Sequence, residues 1–338
     1  MTGRGRGGRF RAARRALAAA AVLAVLAGCS ADEPAAVDGQ TREVTGADGE
    51  TVAVPAGPER VVTLSEPTLD GALALGVTPV GTVSGRGQSG PPSYLAEQAA
   101  DIPIVGAVAQ PNLETIKGLD PDLILVDGTS VNNNPPLLET LGQIAPVVYT
   151  GFAGGDWEDN LRVTADALNL ADAADDLVAG YEERVDDIAG RLGENADATV
   201  SVVRWQRAGP SLILKELLPG RVLTDLGLAR PPAQDREGRG HSEPISLENL
   251  RDIDADWVFF GYLGGSSVGD AEADGGATAE AAQEALRTAA VETPGFMDLT
   301  AFREQHIVPV DGSVWTSAGG PILVGRVLDD IDAALTTE

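Results

Sequence analysis

Cysteine occurs once in 338 residues, histidine twice, methionine twice and aromatic residues make up only 4% of the chain. One cysteine excludes an intramolecular disulfide, so the fold must be held by burial. Two histidines, His241 and His306, and no second cysteine exclude the His-rich or thiolate cage of a free zinc or manganese carrier. The acids show no EF-hand spacing. No phosphate-loop signature is present, and neither a nucleophile elbow nor a dinucleotide-binding turn is expected. After residue 28 there is no apolar run of 18 residues, so no membrane-spanning helix is expected in the body. Lysine is confined to Lys117 and Lys215, leaving arginine as the default base. The formal charge is −27, which makes nucleic acid and anionic lipid surfaces poor partners.

The first 28 residues read as a targeting segment. Arg4, Arg6, Arg9, Arg11, Arg14 and Arg15 form a basic region, followed by an apolar stretch from Ala16 to Ala27 that is too short to span a bilayer. Leu26-Ala27-Gly28-Cys29 closes it and resembles the lipobox of bacterial lipoproteins, which implies cleavage before Cys29 and acylation of its sulfur. Arg14-Arg15 is compatible with either general secretory or twin-arginine export. Losing six arginines and no acids takes the formal charge to −33, so the membrane contact expected is the lipid alone. Residues 29–57, rich in Ala, Gly, Asp, Pro and Thr, read as a flexible tether.

Asn112-Leu-Glu-Thr-Ile-Lys-Gly-Leu-Asp-Pro-Asp-Leu-Ile-Leu-Val126 returns 134 residues later as Ser246-Leu-Glu-Asn-Leu-Arg-Asp-Ile-Asp-Ala-Asp-Trp-Val-Phe-Phe260. Each copy predicts a capping residue, a short amphipathic helix, an Asp-x-Asp turn and a strand. Glu114 and Glu248 therefore occupy equivalent places at the starts of equivalent helices. Strands at Arg60–Ser65, Val77–Val83, Ile102–Val105, Leu123–Val126 and Val147–Tyr149 alternate with helices from Pro67, around Tyr94–Ala100 and at Pro136–Ile144. That order argues a mostly parallel sheet covered on both faces.

Ala174, Leu177, Val178, Tyr181, Val185, Ile188 and Leu192 fall on one helical face, ended by Gly193. From Ala171 to Leu192 that helix would be about 33 Å long. After it come strands at Val200–Trp205 and Leu212–Leu214, a helix at Val222–Leu226, a loop from Arg230 to Pro244 and the second repeat copy. An insertion at Gly264–Gly276, helices at Thr278–Ala290 and Leu299–Phe302, a strand at Ile307–Val310, a loop at Asp311–Gly320 and a helix at Pro321–Leu335 finish the chain. The expected layout is a signal segment (1–28), the tether (29–57), an N-terminal α/β lobe (58–155), a rigid connecting helix (156–193) and a C-terminal α/β lobe (194–338).

Taken in order, Pro58-Glu-Arg-Val-Val-Thr-Leu-Ser65, Ala72-Leu-Ala-Leu-Gly-Val-Thr-Pro-Val-Gly81, the repeat pair, Leu226-Gly-Leu-Ala-Arg-Pro231 and Val314-Trp315 before Gly319-Gly320 resemble the substrate-binding lipoproteins of ABC importers for iron siderophores, haem and cobalamin. Arg230-Pro-Pro-Ala-Gln234 is most similar to the ferric siderophore branch. The resemblance spans residues 58 to 336. It implies the class III periplasmic-binding-protein fold, two Rossmann-like lobes with parallel-rich sheets joined by one long helix, and a non-enzymatic monomer with no resident cofactor. It also implies that Glu114 and Glu248 dock on arginines of the permease dimer. A glutamate just after a cap also gains about 0.3–1 kcal/mol from the helix dipole, and duplication at matched points is what favours docking.

The ligand, chelated Fe(III), would sit between the lobes at the loops after strand ends. Candidate contacts are Arg86, Arg204, Trp205, His241, Tyr262 and Trp315. Trp315 ranks first because it matches a family aromatic in a small-residue loop. The alternative for each arginine is a solvated surface role, and for Trp205 packing within its strand. A ferric hydroxamate-like siderophore ranks first among ligands, since cations to neutralise a strongly anionic complex look scarce. Cobalamin and haem stay open. So do a sensor or storage lipoprotein without a transporter and a surface-anchored hydrolase, although a hydrolase would need a base for its serine and the two histidines lie in different loops.

Overall fold

The computed structural model describes residues 39–131, 134–152, 155–206, 209–238, 242–263 and 276–336. Cys29 with its lipobox, His241 and residues 264–275 of the insertion lie outside them. The described chain opens on an antiparallel hairpin, β1 (Thr41–Thr45) and β2 (Thr51–Pro55). This corrects the tether, which by composition was expected to run to residue 57. Val44 and Val54 are buried in the main core, Arg42 pairs with Asp166 at 2.9 Å and the Ala47 amide donates to the Tyr149 carbonyl. Alternating valines at 44, 52 and 54 give a strand one apolar face, and five-residue strands are too short to stand out in a Gly- and Asp-rich setting.

The N-terminal lobe follows: β3 (Val61–Thr63), α1 (Glu66–Ala74), β4 (Gly81–Ser84), β5 (Ile104–Ala107), β6 (Gln110–Pro111), α2 (Leu113–Gly118), β7 (Leu123–Val126), α3 (Gly128–Val131), α4 (Pro135–Gly142) and β8 (Val147–Tyr149). Its sheet has the order β6-β5-β4-β3-β7-β8 and is parallel except for β6. Helix α1 starts sharply because Ser65 and Thr68 cap each other's backbone amides, with Pro67 in the first turn. Gly76 ends it with φ +79°, a left-handed conformation that costs glycine little. The helix expected near Tyr94–Ala100 is a single 3-10 turn at Ser93–Leu95.

Two helices, α5 (Trp157–Leu168) and α6 (Ala171–Arg191), lead to the second sheet. The C-terminal lobe holds β9 (Val200–Gln206), β10 (Gly209–Leu212), α7 (Leu218–Asp225), β11 (Glu243–Pro244), β12 (Trp257–Tyr262), α8 (Ala279–Glu292), α9 (Thr300–Arg303), β13 (Ile307–Asp311), α10 (Gly312–Trp315) and α11 (Pro321–Leu335). Its order is β11-β10-β9-β12-β13, with β9, β12 and β13 parallel and β10 antiparallel to both neighbours. Each lobe thus holds its own sheet rather than a share of one continuous sheet, which is the arrangement that the internal repeat requires.

The repeat has a structural cause. Asp122 accepts from the amides of Glu59 and Arg60 at 2.8 and 2.9 Å, pinning the chain as it enters β3, and Asp256 accepts from the Thr199 amide at 2.7 Å, pinning the entry to β9. Each second Asp of the Asp-x-Asp turn thus fixes the register of the strand beside its own. The copies differ at their helices. Asn112 caps α2 through the Thr115 amide, whereas Ser246 makes no side-chain cap and the second copy winds as 3-10 helix over Leu247–Ile253.

Helix α6 buries Ala174, Val178, Tyr181, Val185 and Ile188, the face read from the sequence. Burying each of the larger of these side chains is worth roughly 1.5–3 kcal/mol. Its 21 residues extend about 31 Å. Tyr181 donates to Asp225 of α7 at 2.6 Å, and Arg184 and Arg191 pair with Asp329 and Asp332 of α11. One core cluster runs from Val61 and Leu69 through Trp157 and Tyr181 to Val202, Phe259 and Leu323. The connector is therefore part of a core shared by both lobes.

Candidate functional site

The carboxyl ends of the parallel strands in the two lobes meet. On the N-terminal side β3 runs into Ser65-Glu66, β4 into Gly85-Arg86 and β7 into Asp127; on the other, β9 brings Arg204 and Trp205, β12 Tyr262 and β13 Asp311. Hydrogen bonds cross the gap at its base. Ser93 Oγ lies 2.9 and 2.8 Å from the Asp311 carboxylate oxygens, and Ser317 Oγ donates to Glu66 Oε2 at 3.0 Å. The amides of Ile322 and Leu323 donate to Asp70 at 2.9 and 3.0 Å, and the Tyr94 hydroxyl joins them at 2.9 Å. Gly320 supplies α11 with no side-chain cap, so an aspartate of the other lobe caps that helix.

Burial outweighs these bonds and raises the Asp70 carboxyl to about 6. Because the folded state then holds its proton more tightly than an unfolded aspartate near 3.8, stability from this group is greatest below about pH 4 and falls as pH rises toward 6. Urea unfolding of wild type and Asp70→Asn at pH 4 and pH 7 should show wild type losing about 2 kcal/mol relative to the variant across that interval. A pH-independent difference would contradict the burial argument.

Two of the expected contacts come together. Arg204 is 5% exposed, donates from Nη1 to Ser242 at 3.1 Å and leaves its buried Nε without a hydrogen-bond partner among the described residues. Desolvation, then repulsion from Arg86, pushes its guanidinium down to about 10, while Glu66 acts in the opposite direction. It stays charged at neutral pH. Arg86 offers its backbone amide to Glu66 Oε1 at 2.8 Å and its Nε lies 3.4 Å from Oε2. Asp127, buried and held by Thr129 and Ser130, has its carboxyl raised by burial and lowered in part by Arg86. Arginine placement rests on Arg230-Pro-Pro-Ala-Gln234: Arg230 and the Val202 amide both bond Gln234 Oε1, and Gln234 Nε2 donates to Ser201, locking β9 in place.

The other contacts divide differently. Trp205 and Tyr262 are half-buried at strand ends, with Trp205 packed on Phe260 and Phe296 at 5.4 and 5.5 Å. Trp315 requires a correction: it is 0% exposed, stacks on Phe259 at 4.0 Å and donates its indole N–H to Asp330 at 2.7 Å, so it has no face to give a ligand. The loop expected at Asp311–Gly320 instead starts with the turn α10, capped by Asp311, and Gly312 is required there because a Cβ would stand 2.0 Å from the Tyr262 carbonyl oxygen. Trp315→Ala should cost about 3–5 kcal/mol in unfolding free energy and leave ligand affinity near wild type. A large affinity loss in a stably folded variant would restore it to the site. Glu114 and Glu248 are both exposed.

Sequence reasoning passed over Glu66, Asp70, Tyr94 and Asp311, although Glu66 directly follows a helix cap at a strand end, where ligand groups collect. It also missed Phe152, 52% exposed and 5.1 Å from Tyr149 at the end of β8, which lines a crevice with Pro67, Leu217, Leu218 and Ala318 of both lobes. A second crevice of about 230 Å³ carries Asp156, Glu158, Glu216, Asp225 and Glu237 against Lys215 and Arg221, the wrong sign for an anionic ligand. Two glycine spacings qualify the expectation about enzyme turns. Gly85-Arg-Gly-Gln-Ser-Gly90 follows β4 in dinucleotide-binding spacing, but the chain passes into turns rather than a helix whose N-terminus would hold a pyrophosphate. Gly265-Ser-Ser-Val-Gly269 has nucleophile-elbow spacing and lies outside the described residues. Among the described residues no cluster of three or more His, Cys, Asp or Glu could hold a metal, and no helix is long and apolar enough to cross a membrane.

The sequence profile of the periplasmic binding protein family matches residues 61–313, from β3 to α10. The chain belongs to this family. Similar to this periplasmic binding protein is the probable siderophore-binding lipoprotein YfiY of Bacillus subtilis, 32% identical over 91% of the chain and 93% of the relative. The achromobactin-binding periplasmic protein of Dickeya dadantii is 30% identical over 81% of the chain and 85% of the relative. Among solved structures, Staphylococcus aureus SirA complexed with staphyloferrin B superposes with a TM-score of 0.71 at 25% identity, over 87% of the chain and 98% of SirA. The architecture is thus that of the class III binding proteins, and family and relatives alike are binding proteins.

Proposed function

We propose that the protein captures a ferric siderophore between its lobes and delivers it to an ABC permease, held at the outer face of the cytoplasmic membrane by a lipid on Cys29. Family membership and the names of the relatives support the ligand class. The single structural observation that supports it best is the Arg86–Arg204 pair at facing strand ends, one partner almost fully buried and still charged. Such a pair suits a chelate that presents an ionised oxygen edge. This reverses the ranking drawn from composition. Arginines are few relative to acids over the whole chain, yet the cleft concentrates two of them, so an anionic, carboxylate-bearing ferric chelate ranks above a neutral or cationic hydroxamate. Trp205 and Phe152 would supply the aromatic side of the site. Glu114 and Glu248 would meet the permease, with the protein acting as a monomer.

Tryptophan fluorescence, measured while adding ferric carboxylate, hydroxamate and catecholate siderophores, haem and cobalamin in turn, tests the proposal. Saturable quenching by an anionic ferric chelate is expected, reported by Trp205. Silence from every ferric chelate would overturn it, and a response to haem or cobalamin alone would transfer the protein to another branch of the family.

A further inference from the structure

Glu66 does something that a cleft for anionic ligands does not need. Its side chain is 3% exposed, one oxygen accepts the Arg86 amide at 2.8 Å, and the other lies 3.4 Å from Arg86 Nε while accepting Ser317 Oγ of the opposite lobe at 3.0 Å. It also acts on Arg204 electrostatically, against the repulsion from Arg86. One carboxylate therefore contacts Arg86 and the opposite lobe and acts on Arg204 through space. Its place in the first turn of a side-chain-capped helix holds it there, since an acidic group is favoured at that end of the helix.

We infer that Glu66 is the selectivity-setting residue of the cleft: a resident counter-anion that offsets one of the two arginine charges and so fixes how negative an accepted chelate is. This inference rests on the ferric chelate reading above. Without Glu66, Arg86 and Arg204 would face a ligand together, favouring the most anionic complexes and repelling cationic ones. With it, the cleft offers one net positive charge from these three groups. The hydroxyl of Ser317 divides the carboxylate's attention between Arg86 and the other lobe, so a change at Ser317 alters how fully Arg86 is neutralised.

The test compares affinity for ferric dicitrate, an anionic complex, with that for ferric desferrioxamine B, a cationic hydroxamate complex, by fluorescence quenching. Glu66→Gln, which keeps size and removes charge, should raise the anionic-to-cationic affinity ratio about tenfold. Glu66→Asp, which keeps the charge, should hold the ratio near wild type. Ser317→Ala, a mild change that settles the matter even if Glu66→Gln does not fold, should lower the ratio about threefold by freeing the carboxylate for Arg86. An unmoved ratio in Glu66→Gln or in Ser317→Ala, or an equal shift in Glu66→Asp, overturns the inference while leaving the function intact. A wild type that responds to neither complex overturns the inference, and silence from every ferric chelate overturns the function as well.

Discussion

Arg204→Met should weaken binding of an anionic ferric chelate about a hundredfold and at the same time make the ligand-free protein more stable. Removing one member of a buried charged contact costs about 2–5 kcal/mol in binding, and about 2.7 kcal/mol is a factor of a hundred. The opposite sign in stability has the same source. Arg204 is 5% exposed, and among the described residues its Nε has no partner and its one side-chain hydrogen bond goes to the neutral Ser242. Glu66 offsets only part of the cost of burial and of repulsion from Arg86, so the buried cation is unfavourable until a ligand anion arrives, and a methionine of similar length relieves the free protein. Arg86→Met should cost less affinity, since Arg86 is more exposed and already faces Glu66. Calorimetric titration and thermal unfolding of both variants read the two effects separately. If Arg204→Met lowered stability and left affinity within about threefold, the arginine would be a structural residue and the site would lie elsewhere.

How much of this was legible from the residues depends on the range over which each signal acts. The long helix α6 announced itself because its apolar face repeats over 21 residues, and its buried positions are those read from the sequence. Gly76, Gly193 and Gly227 were readable as stops, and all three have positive φ. The duplicated Asp-x-Asp pointed to two lobes, and the bonds of Asp122 and Asp256 to the neighbouring strands supply its physical reason. Short elements were harder. Five-residue strands at Thr41–Pro55 were hidden in a polar composition, and 3-10 turns at Ser93–Leu95 and Leu247–Ile253 share the residue types of α-helices. Trp315 failed as a ligand contact because its burial is decided by Phe259 and Asp330, neither of which is near it in sequence. Glu66 carried a local signal in its place after a helix cap, but its partner, like that of Asp70, was hidden for the same reason: Ser317 and Ile322 lie roughly 250 positions away, in the other lobe.

Reversing two surface charges, Glu114→Arg with Glu248→Arg, should abolish uptake of the ferric chelate while leaving its affinity unchanged within about twofold. Both glutamates are exposed, so nothing in the interior depends on them. Each stands two residues after the start of its repeat copy, ahead of the Asp-x-Asp turn that ties the segment to the sheet, so each is held on a rigid lobe rather than on a free loop. Two fixed carboxylates would report the spacing of the lobes to a partner carrying arginines, and would speed its encounter with a protein whose formal charge is −27. Arginine at both points turns attraction into repulsion, which disrupts docking more than neutral replacement would. The local cost to the protein should be small, about 0.3–1 kcal/mol for losing an acidic first-turn residue. Single reversals should retain partial transport, and high salt should weaken docking of wild type because exposed charges are screened over about 10 Å at 0.1 M. Uptake of radioactive iron by cells carrying the transporter, measured beside quenching titrations of the purified variants, separates delivery from capture. A double variant that imports at the wild-type rate would remove the docking role of both residues and favour a lipoprotein that binds its chelate without handing it on.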